Sequence, residues 1–128
     1  MTNIVFDTTA LSHFARASRL DELKAVTAGD ECILMAEVMA ELAKGAAIYP
    51  SLGGISAESW LQPVELDELK ELAAFASYKG ELGGGPGRNN GEAAVLAWVS
   101  VNGGIAIIDE EVARNIGERD GIQVHGSL

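Results

Sequence analysis

Residues Gly91 to Leu128 read GEAAVLAWVSVNGGIAIIDEEVARNIGERDGIQVHGSL, and the order of elements in this stretch decides the fold. Glu92 to Asn102 is apolar nearly all round, which predicts a central buried helix with one acid, Glu92, in its first turn. An Asn-Gly-Gly turn follows. Gly104 to Ile108 is a short apolar strand that ends at Asp109. A polar helix, a glycine at Gly121 and a last short strand complete the stretch. Helix, turn, strand, acid, helix, glycine, strand is the order of an open parallel α/β sheet. Ligands bind such sheets beyond the carboxyl ends of the strands. An acid there is placed for metal or phosphate chemistry rather than for the core.

The earlier chain fits the same scheme. Asn3 to Phe6 is a buried first strand that stops at Asp7-Thr8-Thr9, and helical sequence follows in which Leu11, Phe14 and Ala15 share a face. Leu20 to Val26 is a second helical stretch, and Glu31 to Leu34 a second strand. Met35 to Lys44 is a helix whose core stripe is Met35, Val38, Met39 and Leu42, while Glu37, Glu41 and Lys44 form another stripe. Ala46 to Ser59 is mixed, broken by Pro50 and Gly53-Gly54. Leu61 to Leu66 is a third strand weakened by Pro63. Asp67 to Tyr78 is a helix with Leu69, Leu72, Ala73 and Ala76 on one face, and Gly80 to Gly91 is a glycine-rich loop, the most mobile segment expected.

The 128 residues are expected to form a single domain, 1–128. Nearly half are apolar and 22% are charged, which excludes a disordered chain. The formal net charge of -10 argues against sequence-independent duplex binding through a broad basic face and suits divalent cations or a basic partner. A lone cysteine, Cys32, leaves no internal disulfide. No run approaches the ~18 apolar residues of a membrane span, and Met1-Thr2-Asn3 lacks the basic start of a signal peptide, so the expectation is a cytoplasmic protein.

Four carboxylates stand out. Asp7 and Asp109 each follow an apolar strand, so in a parallel sheet both emerge at one edge. Each could instead cap the next helix, and the two roles are compatible. Glu92 heads a buried helix directly after a flexible loop, although a first-turn Glu ordinarily just complements the helix dipole. Glu41 lies one turn deeper than Glu37 and beside core Leu42, whereas Glu37 reads as part of a solvated face. Four acids in one cleft raise one another's pKa unless a cation relieves them, and Mg²⁺ or Mn²⁺ prefers such oxygen ligands. His13 and His125 have no metal-ligand spacing and read as ordinary polar residues. The glycine-rich loop lacks the Lys-Ser/Thr ending of a phosphate-binding P-loop.

The pieces IVFDTTALSHF, AEVMAELAKG, NNGEAAVLAWV and GIAIIDEEVARNIGERDGIQVHGS, in this order, resemble the PIN domain, and within it the toxin nucleases of the VapC type and their close relatives. The resemblance spans nearly the whole chain. It implies a three-layer α/β/α sandwich with a central parallel sheet of four to five strands. The residues matching the family's acidic site are Asp7, Glu41, Glu92 and Asp109, and Thr8 matches a small hydroxyl residue that follows the first acid. The implied activity is that of a metal-dependent endoribonuclease, with one or two Mg²⁺ or Mn²⁺ ions held by these carboxylates and in-line attack of water leaving a 5′-phosphate. A toxin of this kind implies a cognate antitoxin that can push a basic side chain into the acidic cleft. It also implies a homodimer, for which the early helices, with Leu11, Phe14 and Leu20, could supply a surface. RNA would be held locally, by Arg16, Arg19, Arg88 or Arg114.

Three other readings compete. A non-catalytic PIN-like module would use the acidic cleft to dock a basic protein segment. A receiver-type phosphoacceptor needs an acid pair near the first strand, but Asp7 stands alone. A metal-dependent phosphatase of another α/β class would act on phosphate monoesters.

Overall fold

The computed structural model describes residues 2–127. Met1, on which the expectation about the chain's start partly rests, and Leu128 lie outside them. Five strands form one sheet: β1 (Asn3–Phe6), β2 (Glu31–Met35), β3 (Leu61–Val64), β4 (Ile105–Ile107) and β5 (Gln123–His125). Their order is β3-β2-β1-β4-β5 and every pairing is parallel. Helices α1 (Thr8–Arg16), α2 (Leu20–Val26), α3 (Ala36–Gly45), α4 (Leu69–Leu82), α5 (Asn90–Asn102) and α6 (Glu111–Arg119) flank it. The α/β class and the upper strand count are as expected. No helix among the described residues is long and apolar enough to cross a membrane.

The sheet starts to the left and right of β1, so β1 and β4 are central neighbours, with Phe6 in register with Ile107. That adjacency brings the ends of both strands, and the acids beyond them, to one place. Pro63 sits in β3, the sheet's edge, in register with Leu34. An edge strand tolerates a proline because one side of its backbone needs no ladder bond. The mixed segment contains a 3-10 helix, Pro50–Ala57, which buries Leu52 and Ile55 under α1 and α3.

The apolar helix α5 is the buried one. Ala93 to Ala97 are fully inaccessible, and α5 packs on α4, α3 and strands β1, β2 and β4. Each fully buried valine or leucine contributes roughly 1.5–3 kcal/mol, so this helix anchors the element that carries Glu92. In α3, Met35, Val38 and Leu42 are buried as the periodicity requires, with Met39 packed against the core.

Two readings are corrected. The Leu69, Leu72, Ala73 and Ala76 face of α4 points outward: Leu69 is 83% and Leu72 47% exposed. The helix instead turns Glu71 and Tyr78 inward, with Ala74, Phe75 and Leu82 against the core. The cause is a capping box at its start. Glu71 Oε1 accepts from the Asp67 and Glu68 N–H groups at 3.0 and 3.2 Å, while Asn102 Nδ2 donates to Oε2 at 2.7 Å. A carboxylate with three donors is better satisfied inside than four apolar side chains are costly outside. The same helix also runs on to Leu82, shortening the glycine-rich loop. That loop is tied as well: Lys79 Nζ donates to the carbonyls of Gly85 and Arg88, and Asn89 Nδ2 to that of Gly83 at 3.2 Å. The second correction concerns α1. Leu11 is fully buried, so it belongs to the core and offers no surface to a second copy.

Candidate active site

Asp7 leaves β1 and is itself the N-cap of α1, its Oδ1 accepting from the Ala10 N–H at 2.7 Å. Its Oδ2 faces the Asp109 N–H at 3.4 Å. The side chain is fully buried. Burial, then the charges of Glu92 and Asp109, push its pKa up to about 7, against the hydrogen bonds from Ala10 and Asp109.

Glu92 lies in the first turn of α5, half-buried, and its Oε2 is inaccessible and has no hydrogen-bond partner among the described residues. Burial, followed by the charges of Glu110 and Glu41, raises its pKa to about 6. An ionised carboxylate oxygen without a donor is costly. Native structures carry few such atoms, and they concentrate where an ion or a reaction needs them.

Glu41, on α3, reaches the start of α5. Its Oε1 accepts the Thr8 hydroxyl and its Oε2 the Gly91 N–H at 3.3 Å. Gly91 is required here. A Cβ at that position would stand 2.8 Å from Thr8 Oγ1 and would overlap Glu41 Oε1. No spacing in the sequence marks this glycine, because the contact is made across 50 residues. Glu37, read as solvated, is half-buried, and its Oε1 has no partner among the described residues.

Asp109 is positioned differently. It does not cap α6: Glu110 does, accepting from the Ala113 N–H at 2.9 Å. The Asp109 carboxylate is bound on both oxygens. Ser127 N–H donates to Oδ1 at 2.6 Å, Ser127 Oγ–H to Oδ2 at 2.6 Å, and His13 Nδ1 lies 2.8 Å from Oδ2. Burial works against ionisation, but the Ser127 and His13 contacts outweigh it and hold this carboxyl below its ordinary value. Arg114 Nη1 donates to the carbonyls of Ile108 and Asp109 at 3.2 and 2.6 Å, closing the end of β4. His13 and Ser127 were not singled out by the sequence. Neither has a partner within its own segment, and only the β1–β4 and β4–β5 pairings bring them to Asp109.

All four predicted acids therefore stand at the carboxyl edge of the sheet, in two sets. Asp7, at the end of β1, and Glu41, on α3, each lie close enough to Glu92 for their charges to couple. Asp109 borders them but turns its oxygens toward Ser127 and His13. Among the described residues, no three metal-ligating side chains already converge on a common point. The donor set still fits a hard divalent cation. It offers carboxylate oxygens only, one of them buried and orphaned, and two carboxyls whose raised pKa a cation would reverse.

A parallel α/β domain with acids gathered at its carboxyl edge is the class that fold and site define. The sequence profile described as DUF3368: PIN domain matches residues 3–128, and the chain belongs to the PIN-domain family. Two solved structures share the fold. One is VapBC from Salmonella typhimurium bound to DNA, 16% identical, with a TM-score of 0.68 and 100% of each chain covered. The other is VapBC2 from Rickettsia felis bound to a DNA fragment from their promoter, 12% identical, with a TM-score of 0.67, covering 97% of this chain and 98% of that one. No curated protein sequence is a significant match.

Proposed function

We propose that residues 1–128 act as one metal-dependent endoribonuclease domain, the toxin of a toxin–antitoxin pair. The observation that carries this reading is the orphaned, buried Oε2 of Glu92 within electrostatic reach of fully buried Asp7. A buried carboxylate oxygen with no donor, beside a second buried acid, is a poor structural device and a good cation seat. Asp7, Glu41 and Glu92 would hold Mg²⁺ or Mn²⁺, with Asp109 completing the set. When bound, the cation lowers the pKa of water and stabilises charge on a phosphoryl oxygen. The protein's own groups do the positioning. The Ala10 N–H aims Asp7, Thr8 and the Gly91 N–H aim Glu41, and the buried start of α5 fixes Glu92. The likeness to VapBC assemblies supports an antitoxin whose basic side chain enters the same cleft.

The test is cleavage of a single-stranded RNA oligonucleotide beside a phosphate monoester, with Mg²⁺, Mn²⁺ or chelator. RNA cleavage that chelator stops and that Glu92→Gln abolishes is expected. Monoester hydrolysis without RNA cleavage would move the protein to a phosphatase class.

One observation favours a second reading. Both Asp109 oxygens already have donors, as in a site built to hold its shape without an ion. A docking module for a basic segment would bind its peptide equally well in chelator and in Mg²⁺, which a calorimetric titration distinguishes.

A further inference from the structure

The nuclease reading leaves open how a chain of net charge -10 holds a polyanion. The arginines divide clearly. Arg19 pairs with Glu22 at 3.0 Å, Arg119 with Glu81 at 2.7 Å and with Asp120, and Arg16 lies over the Tyr49 ring at 3.8 Å. Arg88 sits exposed on the glycine-rich loop, its backbone carbonyl held by Lys79. Arg114 alone of them borders the acids. It lines a recess of about 470 Å³ with His13, Asp109 and Gly126.

Each wall of this recess has a defined chemistry. Among the described residues, only Nη1 of Arg114 has protein acceptors, and both are neutral carbonyls, so, although the Asp109 carboxylate lines the same recess, the guanidinium makes no direct ion pair. Its remaining N–H groups form the fork that suits a phosphate. His13 is half-exposed and points its Nδ1 at Asp109. A carboxylate accepts, so Nδ1 carries the proton, and in the neutral ring Nε2 is then a fixed hydrogen-bond acceptor. Gly126 completes the lining, and a Cβ there would stand in ordinary contact, 3.5 Å from Asp109 Oδ1 and 3.7 Å from Arg114 Nη1. A phosphate donor fork beside an acceptor aimed by an acid matches the two polar groups of one ribonucleotide. The phosphate is an acceptor. The 2′-hydroxyl is a donor that DNA lacks.

We infer that the His13–Arg114 recess is a ribonucleotide subsite adjoining the acidic cleft, in which Arg114 takes a backbone phosphate and His13 Nε2 accepts the hydrogen of a 2′-hydroxyl. The inference rests on the nuclease reading for its substrate, but it is tested by binding and not by cleavage. His13 and Arg114 here are positioning and specificity residues.

The experiment measures equilibrium binding of one single-stranded sequence, as RNA and as DNA, by fluorescence anisotropy in chelator at pH 8 and several salt concentrations. Wild type should prefer RNA. His13→Phe keeps the ring and loses the acceptor. It should weaken RNA binding about two- to tenfold, the effect of one hydrogen bond, and leave DNA binding unchanged. Arg114→Ala should weaken RNA and DNA equally and flatten the salt dependence by about 0.7, the contribution of one phosphate on a single strand. Arg114→Lys, which keeps a charge and guards against misfolding of the alanine variant, should restore most of that slope. The subsite is wrong if His13→Phe changes RNA and DNA alike, if Arg114→Lys behaves as Arg114→Ala, or if wild type binds neither strand. Cleavage of RNA with an unaltered RNA-to-DNA ratio in His13→Phe removes the subsite and leaves the nuclease. The predicted binding pattern without any cleavage does the reverse.

Discussion

Asp7 and Asp109 follow neighbouring parallel strands and reach the same edge of one sheet, yet they have opposite surroundings. Asp7 is fully buried, accepts one good backbone bond and is pushed up to about 7. Asp109 is partly exposed, accepts three contacts from Ser127 and His13 and is held below its ordinary value. The difference lies in what comes after each acid. Asp7 turns at once into α1, whose first turn covers it. Asp109 is followed by a second acid that takes over the cap, which frees its carboxylate to meet the residues after β5. Identical position in a sheet therefore does not give identical chemistry: burial raises one acid and the other is already satisfied by donors.

The largest expected effect erases that difference. Both Asp7→Asn and Asp109→Asn should lower metal-dependent RNA cleavage by several orders of magnitude, if both acids serve the reaction. Purified variants and a single-turnover assay decide it. Full activity in Asp109→Asn with none in Asp7→Asn would confine the cation to Asp7, Glu41 and Glu92.

Stability separates the two acids by sign. A carboxyl raised in the native state binds more protons folded than unfolded. The contribution of Asp7 is fully present below its unfolded value, near 3.8, and is lost as pH rises toward about 7. Glu92 acts the same way between 4.5 and about 6. Asp109 is the opposite: its contribution is present above its unfolded value and is lost as pH falls through its lower folded value. In chelator at pH 7, Asp7→Asn should thus be as stable as wild type or more so, since Asn still accepts from Ala10. Asp109→Asn should lose about 1–3 kcal/mol, because an amide cannot serve all three contacts. Mutual repulsion of four acids alone would make neutralising Asp109 as stabilising as neutralising Asp7. The geometry confines that gain to Asp7. Urea melts from pH 4 to 8 test the assignment, and a lower midpoint for Asp7→Asn than for Asp109→Asn at pH 7 would reverse it.

A smaller effect comes from the cation itself. Mg²⁺ or Mn²⁺ at about a hundred times its dissociation constant should stabilise wild type by roughly 2.7 kcal/mol. Asp7→Asn should gain less than Asp109→Asn, because Asp109 has protein donors to return to. Equal gains in both variants would mean that the two acids bind the ion alike despite their resting contacts.

Much of this site is legible in the sequence. The first and fourth strands and the acids at their ends follow from short apolar runs that stop at aspartates. The buried helix follows from the unbroken apolar stretch after Glu92. What is not legible depends on contacts between distant segments. His13 has no metal spacing because it serves Asp109, 96 positions away in the chain, and Gly91 resembles any residue before a helix until Glu41 is packed against it. The inward face of α4 escapes periodicity for a related reason: a buried Glu71 held by Asn102 overrides the apolar stripe. Hydrophobic patterns report faces, and polar satisfaction inside the core is decided by partners the pattern cannot see.

The smallest effect tests what holds Asp109. Ser127→Ala removes the hydroxyl that donates to Oδ2 at 2.6 Å and keeps the backbone N–H on Oδ1. One hydrogen bond to an ionised acceptor is lost, and no buried group is left unpaired, because His13 still meets Oδ2. The cost should be about 0.5–1.5 kcal/mol at neutral pH. The Asp109 carboxyl should titrate at a higher pH than in wild type, so the variant's deficit shrinks as the solution is acidified through that range and wild type loses the same bond. Asp7 should titrate as before, since its causes are burial and the neighbouring acids rather than Ser127. Carboxyl carbon shifts followed by NMR across pH read both residues in one sample. An Asp109 titration that does not move would show that burial and His13 alone set its state. A shift at Asp7 equal to that at Asp109 would show that the two acids respond as one cluster, and the contrast between them would then be lost.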